Sequence, residues 1–297
     1  MHNVALVKGN RSYDAVKQAL ELIKGEVEVP ASKPVLVKPN LVSARVDLSA
    51  TPVDAVRAVL DFLKEKGVKH FILGEGTAEG ATMDAFKRFG YTALKDEYDL
   101  ELRDLNRDAT VEAVVLGADL KPAKLRISRT FVDSYRVSVA RMKTHDTVIV
   151  TLAVKNMGVG SVVNADRRSF SHAYPAMNLS LARMEMDRPT HLAIIDGVVG
   201  MEGAGPVSGT ARPTGVALAG INATAVDVVG AQVMGYNPAQ IGYLHYLMHL
   251  QGFSPLDIAV LGENVEACTS RYKDHPDYRA QRKWQVEDWH KVIMGNP

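Results

Sequence analysis

Apolar positions in the first hundred residues alternate between two periods. "VALV" (Val4 to Val7) and "PVLVK" (Pro34 to Lys38) are short apolar runs that read as strands buried on both faces, and Val16, Ala19, Leu20 and Ile23 recur at helical spacing between them. Strand, helix and strand in that order make a βαβ unit. The next helix is predicted from Thr51 as N-cap and Pro52 at the first helical position. Val53, Val56, Leu60 and Leu63 form its apolar face, Asp54, Arg57, Asp61 and Lys64 lie mainly off that face, and Gly67 stops it. "VKHFIL" (Val68 to Leu73) follows as a strand, with Gly74-Glu75-Gly76 as its exit turn.

"RVSVAR" (Arg136 to Arg141), "LAIID" (Leu192 to Asp196), "GVALAG" (Gly215 to Gly220) and "IAVLG" (Ile258 to Gly262) are further strand candidates. Between the last two, Asn222 is placed to cap a helix whose Val226, Val229 and Val233 face inward and which stops near Gly235 and Pro238. Strands alternating with helices predict an α/β fold, a mostly parallel, doubly wound sheet with a smaller inserted or appended unit. The α/β domain is expected over residues 1–265. Residues 80–135 and 160–190 fit the alternation less well and are expected to form the smaller unit or excursions over the site. Residues 266–297 read as a charged and aromatic tail whose Trp284 and Trp289 pack back on the body.

Composition narrows the function. At 46% hydrophobic and 23% charged the chain has the balance of a protein with a large core. Thirty-five basic against 34 acidic residues give a net charge of +1, so neither nucleic acid nor an anionic membrane is an expected partner and any anion preference is local. No apolar run reaches the roughly 18 residues a membrane span needs, and the N-terminal stretch lacks a secretion-signal pattern, so a cytoplasmic location is expected. Cys268 is the only cysteine. It excludes an internal disulfide or a cysteine-ligated iron–sulfur cluster within one chain and reads as a packing residue.

Ligands of open parallel sheets bind beyond the carboxyl ends of the strands. "PVLVK" runs out into Lys38 and Asn40, "VKHFIL" into Glu75, "RVSVAR" into Lys143 and His145, and "LAIID" into Asp196 and then Glu202. "MKTHDTVIVTLAVKNMGVG" (Met142 to Gly160) adds Lys155 and Asn156 beside a β-branched apolar run, and "SFSHAY" adds His172. Histidines titrate near neutral pH, and a lysine against an apolar wall and another lysine has its pKa lowered, so His145, Lys155 and His172 are the candidate catalytic residues. Such a lysine acts as base, imine-forming nucleophile or oxyanion partner. Lys38, Asn40, Lys143 and Asn156 are candidates for holding an anion, and Glu75, Asp196 and Glu202 for a divalent metal. The Arg167-Arg168 pair either joins the anion site or is solvated. "GVVGMEGAGPVSG" (Gly197 to Gly209) reads as a loop that lets backbone amides approach a ligand, without the order of a P-loop. His245 and His249 share a helical face but sit among Tyr243, Leu244, Leu247 and Leu250, and read as packing histidines.

Taken in order, "VLVKPN", "TPVDAVRAVLDFLKEKG" with "GEG", "MKTH" followed by "KNMG", "SH", "IIDGVVGMEGAGPVSG" and "NATAVDVVGAQVMGYNP" resemble the family catalogued as domain of unknown function 362. Many members of that family carry ferredoxin-like cysteine clusters as well. This chain has none, so the resemblance does not bring electron transfer with it. The order His145, Lys155, His172 is also similar to a run in the lactate racemase family, where histidines move the proton, a lysine bears a nickel-pincer cofactor and a histidine binds nickel.

The resulting expectation is an enzyme acting on a small anionic metabolite by acid/base chemistry assisted by a divalent metal, with the isomerase, lyase or hydrolase class open. The alternatives are a non-catalytic anion- or metal-binding module and a nickel-cofactor, racemase-like enzyme. A homo-oligomer is compatible with either.

Overall fold

The apolar runs become strands where their pattern predicts them. The computed structural model describes residues 1–170 and 173–294. Its strands are β1 (His2–Lys8), β2 (Val35–Pro39), β3 (Phe71–Glu75), β4 (Leu100–Asp104), β5 (Thr110–Leu116), β6 (Pro122–Ser128), β7 (Tyr135–Thr144), β8 (Val150–Thr151), β9 (Leu192–Glu202), β10 (Thr210–Gly220) and β11 (Ile258–Gly262). The main sheet runs β11, β1, β10, β9, β7, β2, β3, β4, with the short β8 paired to β7; β5 and β6 form a separate hairpin. From β9 across to β4 every neighbour is parallel, and β10 alone runs antiparallel to both of its neighbours. The fold is the mixed, mostly parallel α/β type.

Both faces of the sheet are covered, which explains runs without polar alternation. Leu36, Ala140, Met142, Ile195 and Leu218 pack into one apolar cluster, with helices Ala153–Ser161, Tyr174–Asp187, Ala223–Val233 and Gly242–Gln251. Val35, Val37, Val137, Val139 and Ile194 point into the other, under helices Ser12–Leu22 and Val53–Glu65. The period of two places Lys38 on the same face as Leu36, toward helix Ala153–Ser161.

Three local expectations need correction or extension. The second helix begins at Val53 with Pro52 as its N-cap residue, not Thr51. The Thr51 hydroxyl is instead committed to bridging two strand ends: it donates to the Val139 carbonyl at 2.8 Å and accepts the Asn40 N–H at 2.9 Å. The glycine-rich stretch from Gly197 is also half strand, because β9 continues to Glu202 and pairs with β10. Its glycines make room for neighbours: a Cβ at Gly200 would lie 2.0 Å from the Tyr272 hydroxyl oxygen, and one at Gly197 2.9 Å from Val216 Cγ2. Residues 80–135 are not wholly an excursion, since β4 from this region extends the main sheet beyond β3.

Other expectations match. Asn222 Oδ1 accepts the Ala225 N–H at 2.9 Å and caps helix Ala223–Val233. In the tail, Trp284 is buried against the body, and its indole N–H donates to the Gln240 carbonyl at 2.9 Å. His245 packs against His249 and Trp284, with ring centroids 4.3 and 5.1 Å away. Cys268 is buried, and burial raises its thiol pKa. Among the described residues no helix is long and apolar enough to cross a membrane.

Candidate functional site

Strand order reverses between β2 and β7: β3 and β4 follow on one side, β9 on the other. Loops leaving the two strands diverge at such a point and leave a crevice at their carboxyl ends. A cavity of about 760 Å³ opens there. Asn40 reaches it from the end of β2, Glu75 and Gly76 from β3, and His145 and Asp146 from β7. Helix Ala153–Ser161 contributes Lys155, Asn156, Val159 and Gly160, and Arg167, Arg168 and Met177 close another wall. Five of the sequence-predicted site residues, Asn40, Glu75, His145, Lys155 and Asn156, therefore line one cavity.

A polar network centred on Lys38 forms part of its wall. Lys38 is fully buried and donates to Glu75 Oε2 at 2.7 Å, the Pro39 carbonyl at 3.1 Å and Asn156 Oδ1 at 3.0 Å. Asn156 returns its amide N–H to the Lys38 carbonyl at 3.2 Å and to Ser138 Oγ at 3.0 Å, which fixes its orientation; the Asn40 amide then donates to Asn156 Oδ1 at 3.0 Å. Glu75 accepts the N–H groups of Leu41 at 3.1 Å and Gly76 at 2.8 Å. Gly160 is required beside it, since a Cβ there would fall 2.2 Å from Lys38 Cε. Burial lowers the Lys38 pKa and Glu75 opposes that shift. The pair keeps Lys38 charged, because an ammonium with a carboxylate at this distance and two further acceptors is better satisfied than a neutral amine.

Lys155 has no such partner. It is 6% exposed, and among the described residues it makes neither a hydrogen bond nor an ion pair. Burial brings its pKa down to about 8, with Arg167 and Lys38 adding to the lowering and Asp146 and Glu75 opposing it. Arg167 is buried too; its Nε donates to the Val162 carbonyl at 3.0 Å and its Nη2 to that of Gly76, which leaves Nη1 uncommitted among the described residues. Arg168 is exposed at the rim.

His145 sits in the turn after β7. Its Nδ1 accepts the N–H groups of Thr147 at 3.0 Å and Val148 at 3.3 Å, which assigns the proton of the neutral ring to Nε2. Asp146 Oδ1 lies 3.1 Å from the same Nδ1, so a second proton arriving there meets a carboxylate. Gln281, from the tail, donates to the His145 carbonyl at 2.7 Å.

The remaining candidates are elsewhere. Lys143 is fully buried, lies off the cavity and donates to the Ser49 carbonyl at 2.7 Å; burial, with Lys155 and Arg141 nearby, holds its pKa well below the ordinary lysine value. Asp196 is buried under Ser12 Oγ at 2.8 Å and the Val198 N–H at 3.0 Å, and burial raises its pKa. Glu202 accepts the Lys273 N–H at 3.0 Å, away from the cavity. Glu75, Asp196 and Glu202 thus do not converge, and among the described residues no group of three His, Cys, Asp or Glu side chains is arranged to hold a metal ion. The three acids therefore do not form one site, each holding donors of its own. His172 lies outside the described residues.

Asp146, Asp227 and Gln281 were not singled out in the sequence. Asp227 accepts the N–H groups of Ala153 at 2.7 Å and Val154 at 3.1 Å, capping the helix that carries Lys155 from a distant element. A lone charged residue in an otherwise uncharged, mostly apolar helix was the available signal. Gln281 carried no signal, since its role depends on where the tail docks.

The family described as domain of unknown function (DUF362) matches residues 35–232, and the chain belongs to that family. A Synechocystis protein described as thylakoid-associated is 25% identical over 217 residues, which cover 70% of this chain and 64% of that protein. A crystal structure of a Thermotoga maritima protein overlaps 66% of this chain and 52% of its own, at 15% identity and a TM-score of 0.37.

Proposed function

We propose that the protein is an enzyme acting on a small anionic metabolite by acid/base chemistry in the cavity between the ends of β2 and β7. One observation carries the reading: Lys155, a buried amine without a hydrogen-bond or ion-pair partner among the described residues, lines the same cavity as His145 and the basic pair Arg167 and Arg168. Nothing structural requires an unpaired buried lysine, and its desolvation is a cost to the fold. Arg167 Nη1, Arg168 and the Asn40 side chain hold the anion; Lys155 takes a proton and the His145 ring, backed by Asp146, gives one. No step is routed through a metal, since the acids do not converge. A cytoplasmic location belongs to the proposal, although the Synechocystis relative is named for association with thylakoids.

A library of small carboxylates and phosphates tests it, first by thermal shift and then by following conversion of each stabilising compound. The proposal expects at least one ligand to be converted, with Lys155→Ala and His145→Ala still binding and converting it at least roughly a hundredfold more slowly. Binding without conversion by the unsubstituted protein would instead establish a non-catalytic module.

A further inference from the structure

Resting on that reading, we infer that the substrate is a small carbonyl compound bearing an anionic group, and that Lys155 Nζ attacks its carbonyl carbon to form an imine. The three buried lysines around the site divide by their partners. Lys38 is an ammonium committed to Glu75, Asn156 and a carbonyl, and has no lone pair to offer. Lys143 is wholly buried off the cavity and donates to Ser49. Lys155 alone of the three lines the cavity, and among the described residues it has no hydrogen bond to break before its nitrogen can approach a ligand.

The walls suit such a step. Val159 and Met177 give the cavity that Lys155 lines apolar wall, while Arg167 and Arg168 supply charge for the anionic end. The cavity, about 760 Å³, admits a small metabolite with room to turn. The first step forms a carbon–nitrogen bond, and a proton moves from nitrogen to the carbonyl oxygen to give a carbinolamine. His145 then protonates the departing hydroxyl, the carbon–oxygen bond breaks, water leaves and the protonated imine remains. Its positive nitrogen draws electrons from the neighbouring carbon, so a proton there is lost to the His145 ring, neutral after giving its own proton to the hydroxyl, and returned from it to the same or another atom. Water adds back to the imine, releasing product and the free Lys155 amine. No oxidant or reductant is consumed.

Glyoxylate with sodium cyanoborohydride tests the imine on the full chain. The hydride reduces any iminium to a stable secondary amine, and peptide mapping reports which lysine carries it. At pH 8 an amine titrating near that value has a free-base fraction roughly a hundredfold that of an ordinary lysine, so Lys155 is expected to be modified at least about tenfold faster than surface lysines such as Lys121. Inorganic phosphate should slow this labelling, and Lys155→Arg should remove the fast site while keeping the circular dichroism spectrum. Labelling of Lys155 no faster than Lys121 would overturn the imine, as would an intact mass revealing that Lys155 is already modified in the purified protein. If the imine fails while glyoxylate or phosphate still stabilises the protein and Lys155→Ala still abolishes conversion, the acid/base reading survives alone. Loss of both binding and conversion would end both.

Discussion

Asp227 Oδ1 accepts the backbone N–H of Ala153 at 2.7 Å, from an element 74 residues farther along the chain. Oδ2 accepts the Val154 N–H at 3.1 Å and the Tyr243 hydroxyl at 2.9 Å. No side chain at the start of helix Ala153–Ser161 caps it, so this buried carboxylate holds the first turn, two residues from Lys155. Asp227→Ala leaves three donors without an acceptor and is expected to cost about 1–3 kcal/mol in urea denaturation. Asp227→Asn, which keeps one acceptor oxygen, is expected to cost less.

That carboxyl also carries a pH dependence. Burial pushes its pKa from 3.8 up to about 7, against the pull of its three donors. Over that window the folded state holds a proton that the unfolded chain has released, so the contribution of Asp227 to stability is complete below the window and falls as pH rises through it. Melting temperatures of the wild type and Asp227→Asn from pH 4 to 8 check this, and the Asn variant should lack that component of the slope.

Lys38 and Glu75 illustrate what pairing does to a buried lysine. Glu75→Gln removes the counter-charge without changing shape and leaves an ammonium buried among neutral acceptors. The expected loss is about 3–5 kcal/mol by chemical denaturation. Adding Lys38→Met to Glu75→Gln should recover part of it, which a simple packing defect at position 75 would not predict.

Gly160 admits the Lys38 side chain. A methyl group there would lie 2.2 Å from Lys38 Cε and 2.3 Å from its Nζ, so Gly160→Ala forces the lysine out of its bonds. The expected cost is about 1–3 kcal/mol. Gly25, with nothing within 4 Å of the corresponding position, is the control, and Gly25→Ala should stay within about 0.5 kcal/mol of the wild type.

The tail reaches the site through Gln281, which donates to the His145 carbonyl at 2.7 Å. Gln281→Ala should destabilise the protein by about 1 kcal/mol. It should also speed hydrogen exchange at the Thr147 and Val148 amides, whose N–H groups are held by His145 Nδ1. Unchanged exchange there would detach the tail from the His145 turn.

Much of this architecture was legible from periodicity because strands buried on both faces leave long apolar runs, and four of those runs ended in polar residues at one sheet edge. Asn40, Glu75 and His145 could be grouped on that basis, and Lys155 and Asn156 through the apolar run that follows His145. The division of labour among the lysines was not legible. Lys38, Lys143 and Lys155 are the same residue type in similar surroundings, and only their partners separate a structural ammonium from an unpaired amine. Asp196 and Glu202 misled for a related reason: a strand-end acid looks the same whether it faces the crevice or, as here, is spent on Ser12 or Lys273. The antiparallel β10 turned a predicted ligand loop into strand, which a glycine-rich sequence disguises.

Central to the proposed chemistry is a Lys155 amine whose pKa burial brings down to about 8. Its pKa of about 8 against 10.5 for an ordinary lysine means that the unfolded chain binds the extra proton between those values, so stability attributable to Lys155 rises with pH across that window. The direct measurement is competitive acetylation of the native protein from pH 6 to 11, read lysine by lysine by mass spectrometry. Lys155 should label with a midpoint near 8, shifted upward when phosphate occupies the cavity. A Lys155 midpoint near 10.5 that phosphate does not move would contradict the central claim.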